Sequence, residues 1–243
     1  VSVVLLASSC ASSGGTGGAF TYDCPADPVV QLSLIDVSSS GRSERIVGER
    51  LDAVRVDAEF VADCDATLIV QTWAGSASTA EVLFAGTIPI AGATEIGRDR
   101  KIPKAVDGVM DKVRRNLNAS LSRNGSLGSD LLGALSIVAD VMQQYEGGSV
   151  QVRATVYSDA ISTEGSAAIN EAGLTAARVA DIVADQRLPR LDGTQIAFRG
   201  VGRVGGDVQP PQDYVDVVKI YATELCKATG ANCSAFVGTT IVG

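Results

Sequence analysis

The sequence predicts a mixed α/β domain: a mostly parallel central sheet of about six strands with helices on both faces. Three observations lead there. Strand-like runs alternate with helical apolar stripes along most of the chain, the pattern that builds a parallel sheet with helical crossovers. Two of the strand-like runs end on Asp or Ser, at Asp36 and at Ser158-Asp159, where a loop leaves the strand. A hydrophobic content of 46% over 243 residues supports one sizeable core, and no low-complexity block calls for a second. The domain is expected over residues 28–243, with residues 1–27 forming a leader and a Ser/Gly linker.

The elements follow in order. Gln31-Leu-Ser-Leu-Ile-Asp36 is an apolar-rich strand that runs into Asp36-Val-Ser38-Ser-Ser40. From Arg42 to about Val61 the apolar positions Val47, Leu51, Val54, Ala58 and Val61 recur at steps of four and three, which predicts a helix with one buried stripe. Ala66–Trp73 and Glu81–Ile90 predict two strands, and the small-residue stretch Ala74–Thr79 between them predicts a hairpin loop. A hairpin adds one antiparallel strand, which belongs at an edge.

A charged helical pattern covers Lys104–Leu121 and is followed by a Gly/Ser/Asn turn at Arg123–Gly128. Leu131, Leu135, Val138 and Met142 form the next stripe, with Ser129 or Asp130 as its N-cap. Ser149–Tyr157 alternates Val150, Val152, Ala154 and Val156 on one face and ends at Ser158-Asp159. A helix over Glu171–Ala184, a strand over Thr194–Gly200 and a helix over Gln212–Lys227, with Tyr214, Val217, Val218, Tyr221 and Leu225 at helical spacing, complete the pattern.

In such sheets ligands bind beyond the carboxyl ends of the strands. Asp36, Ser129 and Asp159 all fall at such ends or at the start of the following helix. Alternate residues of an extended loop point the same way, so Asp36, Ser38 and Ser40 can converge on one point. Carboxylate and hydroxyl oxygens are the donors that Mg²⁺, Mn²⁺ or Ca²⁺ prefers. The chain has no His and a net charge of −8, which argues against a His-ligated zinc or haem site and against nucleic acid as a partner.

These residues resemble the von Willebrand factor A domain family, which carries a metal-ion-dependent adhesion site. That family's motif begins with Asp-x-Ser-x-Ser after the first strand, here Asp36, Ser38 and Ser40. Its second element is a Thr before a helix; Gly128-Ser129-Asp130-Leu131 matches, with Ser129 in place of Thr. Its third is an Asp after a later strand, matched by Tyr157-Ser158-Asp159, with Ala160 where the family often has Gly. The match spans roughly residues 28–230. The resemblance implies a Rossmann-like von Willebrand factor A fold and a divalent metal held by Asp36, Ser38, Ser40, Ser129 and Asp159. It also implies recognition of a protein partner that supplies an acidic group to the metal, without turnover.

Other readings fit less well. A strand ending in Asp36, with a second strand-end Asp159, resembles haloacid-dehalogenase-like phosphatases, in which an acid two residues after the nucleophile protonates the leaving group. Here that place is Ser38, and a hydroxyl of ordinary acidity cannot do that work. A third reading is a degenerate A domain that keeps the fold and binds no metal. Gly200-x-Gly202-x-x-Gly205 satisfies the dinucleotide pattern, but Gly206, Pro210 and Pro211 keep the chain irregular where a helix should open on a phosphate.

Val3-Val4-Leu5-Leu6-Ala7-Ser8-Ser9-Cys10 resembles the tail of a bacterial lipoprotein signal peptide, with Cys10 as the acylated residue. The expected location is extracytoplasmic, with the membrane reached only through that lipid. Cys24, Cys64, Cys226 and Cys233 remain, an even number in an exported chain, and they allow three disulfide pairings. The topology favours two of the links. The first strand starts near Cys24, and the helix after it returns to the same edge at Cys64. Gly230 lets the chain reverse so that Cys233 reaches Cys226.

Overall fold

The computed structural model describes residues 22–92, 94–124, 127–146, 148–169 and 173–239. The proposed lipidation site Cys10 and the Ser/Gly linker that follows it lie outside the described residues. The elements in chain order are β1 (Val29–Asp36), α1 (Glu44–Asp63), β2 (Thr67–Ala74), β3 (Ser76–Thr87), α2 (Glu95–Asp99), α3 (Ile102–Asn124), α4 (Leu131–Gln144), β4 (Gln151–Tyr157), α5 (Ala176–Ala184), β5 (Gln195–Arg199), α6 (Gln212–Lys227) and β6 (Asn232–Phe236).

The six strands lie in the order β3-β2-β1-β4-β5-β6. All neighbours are parallel except β3, which runs antiparallel to β2 at the edge. The winding direction reverses between β1 and β4, and at such a switch point the loops leaving two adjacent strands part to form a crevice. Asp36 ends β1 and Ser158-Asp159 follows β4, so both loops open into that crevice.

β1 is buried along all of its length, which is why it carries apolar residues on both faces. Val30, Leu32 and Leu34 join Val152, Ala154, Val156, Ile196 and Phe198 against α4, α5 and α6. Ile35, Leu68 and Val70 pack on the other side against α1 and α3, through Val54, Ala58 and Val61 of α1 and Val106, Val113 and Leu117 of α3. These are the apolar stripes that the sequence predicts for α1, α4 and α6, with Val47, Met142, Tyr214 and Val217 at the partly buried margins.

Four local expectations change. β3 begins at Ser76, so most of the predicted loop Ala74–Thr79 is strand, and the hairpin turns at Gly75. Its small residues are needed there: α4 packs close, and Ala77 and Ala80 sit against the core. β3 also stops at Thr87 instead of Ile90. α5 begins at Ala176, where Thr175 caps it by accepting a bond from Arg178 N; the expected start at Glu171 lies outside the described residues. Finally β6, which has no clear alternation of its own, pairs with β5 and supplies the sixth strand.

Both favoured disulfides are formed, Cys24–Cys64 and Cys226–Cys233. The first ties the segment entering β1 to the end of α1. The second ties the last turn of α6 to β6 across a reversal at Gly230, whose φ of +89° suits glycine. Asp63 lies beside the sulfurs of Cys24 and Cys64, but those sulfurs are bonded to each other and offer no thiolate to a metal. Among the described residues no helix is long and apolar enough to cross a membrane.

Candidate metal centre at the carboxyl ends of the central strands

The loop after β1 turns at once. Asp36 Oδ1 accepts from the Ser38 backbone N at 2.8 Å, a short-range bond that folds the Asp-x-Ser segment over its own carboxylate. A single 3-10 turn at Ser39–Gly41 then leads into α1, which Ser43 caps by accepting from Ile46 N. Ser38 Oγ and Ser40 Oγ lie 3.2 Å apart, so the two hydroxyls face one point as the alternation predicts. Arg50 of α1 reaches back and donates to the Asp36 carbonyl, which anchors the loop from below.

The other two elements meet this loop from β4 and α4. Ser129 Oγ donates to Asp36 Oδ2 at 3.2 Å, and Ser158 Oγ donates to the same oxygen at 2.6 Å. Asp159 Oδ1 accepts from Ile161 N at 2.9 Å. Asp36 is 1% exposed and Asp159 0%, so two carboxyl groups share a dry site. Burial, together with the neighbouring Asp36 carboxylate, pushes the Asp159 pKa up; Ser40, the Ile161 amide and Arg50 act in the opposite direction. All five residues singled out from the sequence are therefore gathered at the β1/β4 crevice.

Whether a cation fits is tested by the hydrogen-bond inventory. Both oxygens of Asp36 have partners, but Asp159 Oδ2 is buried and has none. A buried, unpartnered carboxylate oxygen beside a second carboxylate is costly, and a bound cation is the direct relief. Every donor in reach is oxygen, which matches Mg²⁺, Mn²⁺ or Ca²⁺ and not a soft metal. The hydroxyls of Ser38, Ser40 and Ser129 now bond within the cluster and would turn their lone pairs to such an ion.

Several supporting residues lie beyond the sequence reading. Ser158 bonds Asp36 directly. The segment after Asp159 cradles the Ser129 loop: Thr163 Oγ1 accepts from Ser129 N at 3.0 Å, Ser162 Oγ accepts from Leu131 N at 3.2 Å, and Glu164 Oε1 accepts from Gly128 N at 2.7 Å. Asp130 occupies the N-cap position of α4 without making a side-chain cap bond, and its buried Oδ1 is also unpartnered. Two of these residues are legible in the sequence, Ser158 as the Ser of Ser-Asp and Asp130 as a candidate N-cap of α4. The remaining contacts join segments more than thirty positions apart and have no local pattern.

The Gly200-x-Gly202-x-x-Gly205 loop belongs to the same site. Gly202 N donates to the Asp159 carbonyl at 2.8 Å and Gly205 N to the Ser40 carbonyl at 2.8 Å. The glycines thus let one loop brace the loops that carry Ser40 and Asp159.

No family model and no curated protein matches this sequence. Solved structures with a similar fold include an aerotolerance-related membrane protein from Bacteroides fragilis NCTC 9343, at 15% identity and TM-score 0.44, covering 87% of this chain and 92% of that one. A conserved hypothetical protein BatB from Bacteroides thetaiotaomicron is similar at 13% identity and TM-score 0.42, covering 86% of this chain and 91% of that one. A von Willebrand factor type A protein from Catenulispora acidiphila is similar at 12% identity and TM-score 0.39, covering 87% of this chain and 39% of that one. At this distance the likeness carries no ligand, partner or activity across.

Proposed function

We propose that this protein is a von Willebrand factor A-type recognition module that holds a divalent cation, Mg²⁺ or in its place Mn²⁺ or Ca²⁺, and presents it to an acidic group of a protein partner. The observation that carries the reading is the buried Asp36/Asp159 pair with Asp159 Oδ2 unpartnered, at the point where Ser38, Ser40 and Ser129 converge. Asp36 and Asp159 supply charge, the three hydroxyls fill out the shell, and the crevice leaves one side for the partner's carboxylate. Nothing in this arrangement calls for turnover. The position two residues after Asp36 is a Ser whose hydroxyl is engaged with Ser40, which disfavours a phosphatase reading.

Two disulfides support an oxidising compartment, and the reading therefore includes an extracytoplasmic location with a lipid on Cys10. Calorimetric titration with Mg²⁺ and Mn²⁺ tests the site. The wild type should bind, and Asp36→Ala should lose roughly a hundredfold or more in affinity while keeping its circular-dichroism spectrum, because it removes one of two charged ligands. Absence of binding in the wild type would favour the degenerate scaffold. Capture of a membrane partner with Mg²⁺ and its loss in EDTA tests the recognition step.

A further inference from the structure

Among the described residues Arg50 is the only Lys or Arg that is buried, at 2% exposed. It stands in the second turn of α1. Helical side chains lean toward the N-terminus of their helix, so the guanidinium rises to the loop that follows β1. There it donates to the Asp36 carbonyl. It also lies against Gly41, where a Cβ would meet Arg50 Cζ at 3.0 Å. Gly41 ends the 3-10 turn after Ser38, and its lack of a side chain lets that turn close over the guanidinium.

A full charge taken out of water has to be offset by another charge. The acids nearest to Arg50 on its own helix are engaged elsewhere. Glu49 pairs with Arg45 and Arg203. Asp57, two turns further along α1, accepts from Ser33 and Tyr157 and feels the charge of Arg199. The charge of Arg50 is felt instead at Asp159, where it opposes the effect of burial. The candidate metal centre therefore combines two buried carboxyl groups with one buried guanidinium.

We propose that Arg50 is a built-in counter-charge of the metal centre, which makes tight binding of the cation depend on a carboxylate from the partner. The inference rests on the metal-site reading above. Two ionised carboxylates balance a divalent cation by themselves. With Arg50 beside them the loaded site keeps one uncompensated positive charge in a dry place, and an incoming carboxylate removes it. Cation and carboxylate then raise each other's affinity, because coupling between two ligands is reciprocal. A neutral oxygen, such as an amide carbonyl, can occupy the same position without removing the charge, so Arg50 selects an acidic partner over a neutral one. Before the cation arrives, the guanidinium offsets the repulsion between Asp36 and Asp159 and keeps the loop in shape.

The test is calorimetric titration of the whole chain with Mg²⁺ and Mn²⁺ at neutral pH, in three media: buffer alone, acetate and acetamide. In the wild type, acetate should tighten cation binding roughly fivefold or more and acetamide should not. Arg50→Gln keeps an amide that can donate to the Asp36 carbonyl and removes the charge. It should bind the cation in buffer alone roughly tenfold more tightly than the wild type and lose the acetate effect. Arg50→Lys keeps the charge and should keep the wild-type pattern, which a purely structural role of the guanidinium would not give. Arg50→Met serves the same comparison if Arg50→Gln folds poorly. A wild type that binds the cation without an acetate effect would overturn the inference and leave the metal site standing. So would a charge-removing variant that binds no more tightly or still responds to acetate. If neither the wild type nor a folded charge-removing variant binds a cation, the metal-site reading falls and this inference falls with it.

Discussion

Asp57 lies 4% exposed on α1, hydrogen-bonded to Ser33 and Tyr157 across the sheet, yet burial pushes its pKa up to about 6 against those bonds. The folded state therefore holds this proton more tightly than the unfolded chain does. The associated stability is fully present below about pH 4 and is lost as the pH rises through about 6. The effect is on the order of 2–3 kcal/mol, since each tenfold difference in proton affinity between the two states is worth about 1.4 kcal/mol. Asp57→Asn keeps an acceptor for both hydroxyls and cannot ionise. We expect it to raise stability at pH 7.5 by about 1–2 kcal/mol and to flatten the slope between about pH 4 and 7, as measured by urea unfolding. An unchanged slope would mean that Asp57 does not titrate in this range. Asp159 keeps its own slope, so the difference between variant and wild type isolates Asp57. Ala160 is a second residue-scale feature: its φ of +58° explains why glycine is expected after the strand-end Asp, and its methyl is buried in the core at the cost of a strained backbone.

Among the elements, the loop from Gly200 to Gly205 shows how backbone geometry supports the site. Gly202 has φ +75°, and a Cβ there would meet Val215 Cγ2 at 2.6 Å; at Gly206 a Cβ would meet nothing. Gly202→Ala should therefore cost about 2 kcal/mol or more, from left-handed strain and from displacement of α6, while Gly206→Ala should stay within about 0.5 kcal/mol. Equal unfolding midpoints for the two variants would contradict this account. Arg203 reinforces the loop by clasping Glu49 of α1 at 2.6 Å, so the brace also reaches the helix that carries Arg50.

For the whole molecule, the two disulfides close loops of different length. Cys24–Cys64 spans 40 positions and Cys226–Cys233 spans 7. Loop-closure entropy assigns about 4 kcal/mol to the first and about 2 kcal/mol to the second as upper estimates. Paired Cys→Ala variants should therefore lose more stability at Cys24/Cys64 than at Cys226/Cys233, by chemical denaturation under identical conditions. The reverse order would show that Cys226, fully buried in the core, contributes through packing more than its link does through chain entropy.

The sequence by itself determined the alternation of strands and helices, the edge hairpin, the buried stripes of α1, α4 and α6, and the residues that gather at the crevice. Each of these is written in local order: periods of two and of 3.6, and polar oxygens at strand ends. The extent of β3, the pairing of β6 and the start of α5 depended on neighbours, because Ser76–Ala80 becomes strand only where β2 and α4 receive it and Asn232–Phe236 only where β5 supplies an edge. The bonds of Ser158 and Arg50 to Asp36 and the Ser162–Glu164 cradle also belong to tertiary structure alone. They join residues far apart in the chain, and such contacts leave no periodicity for a sequence reading to find.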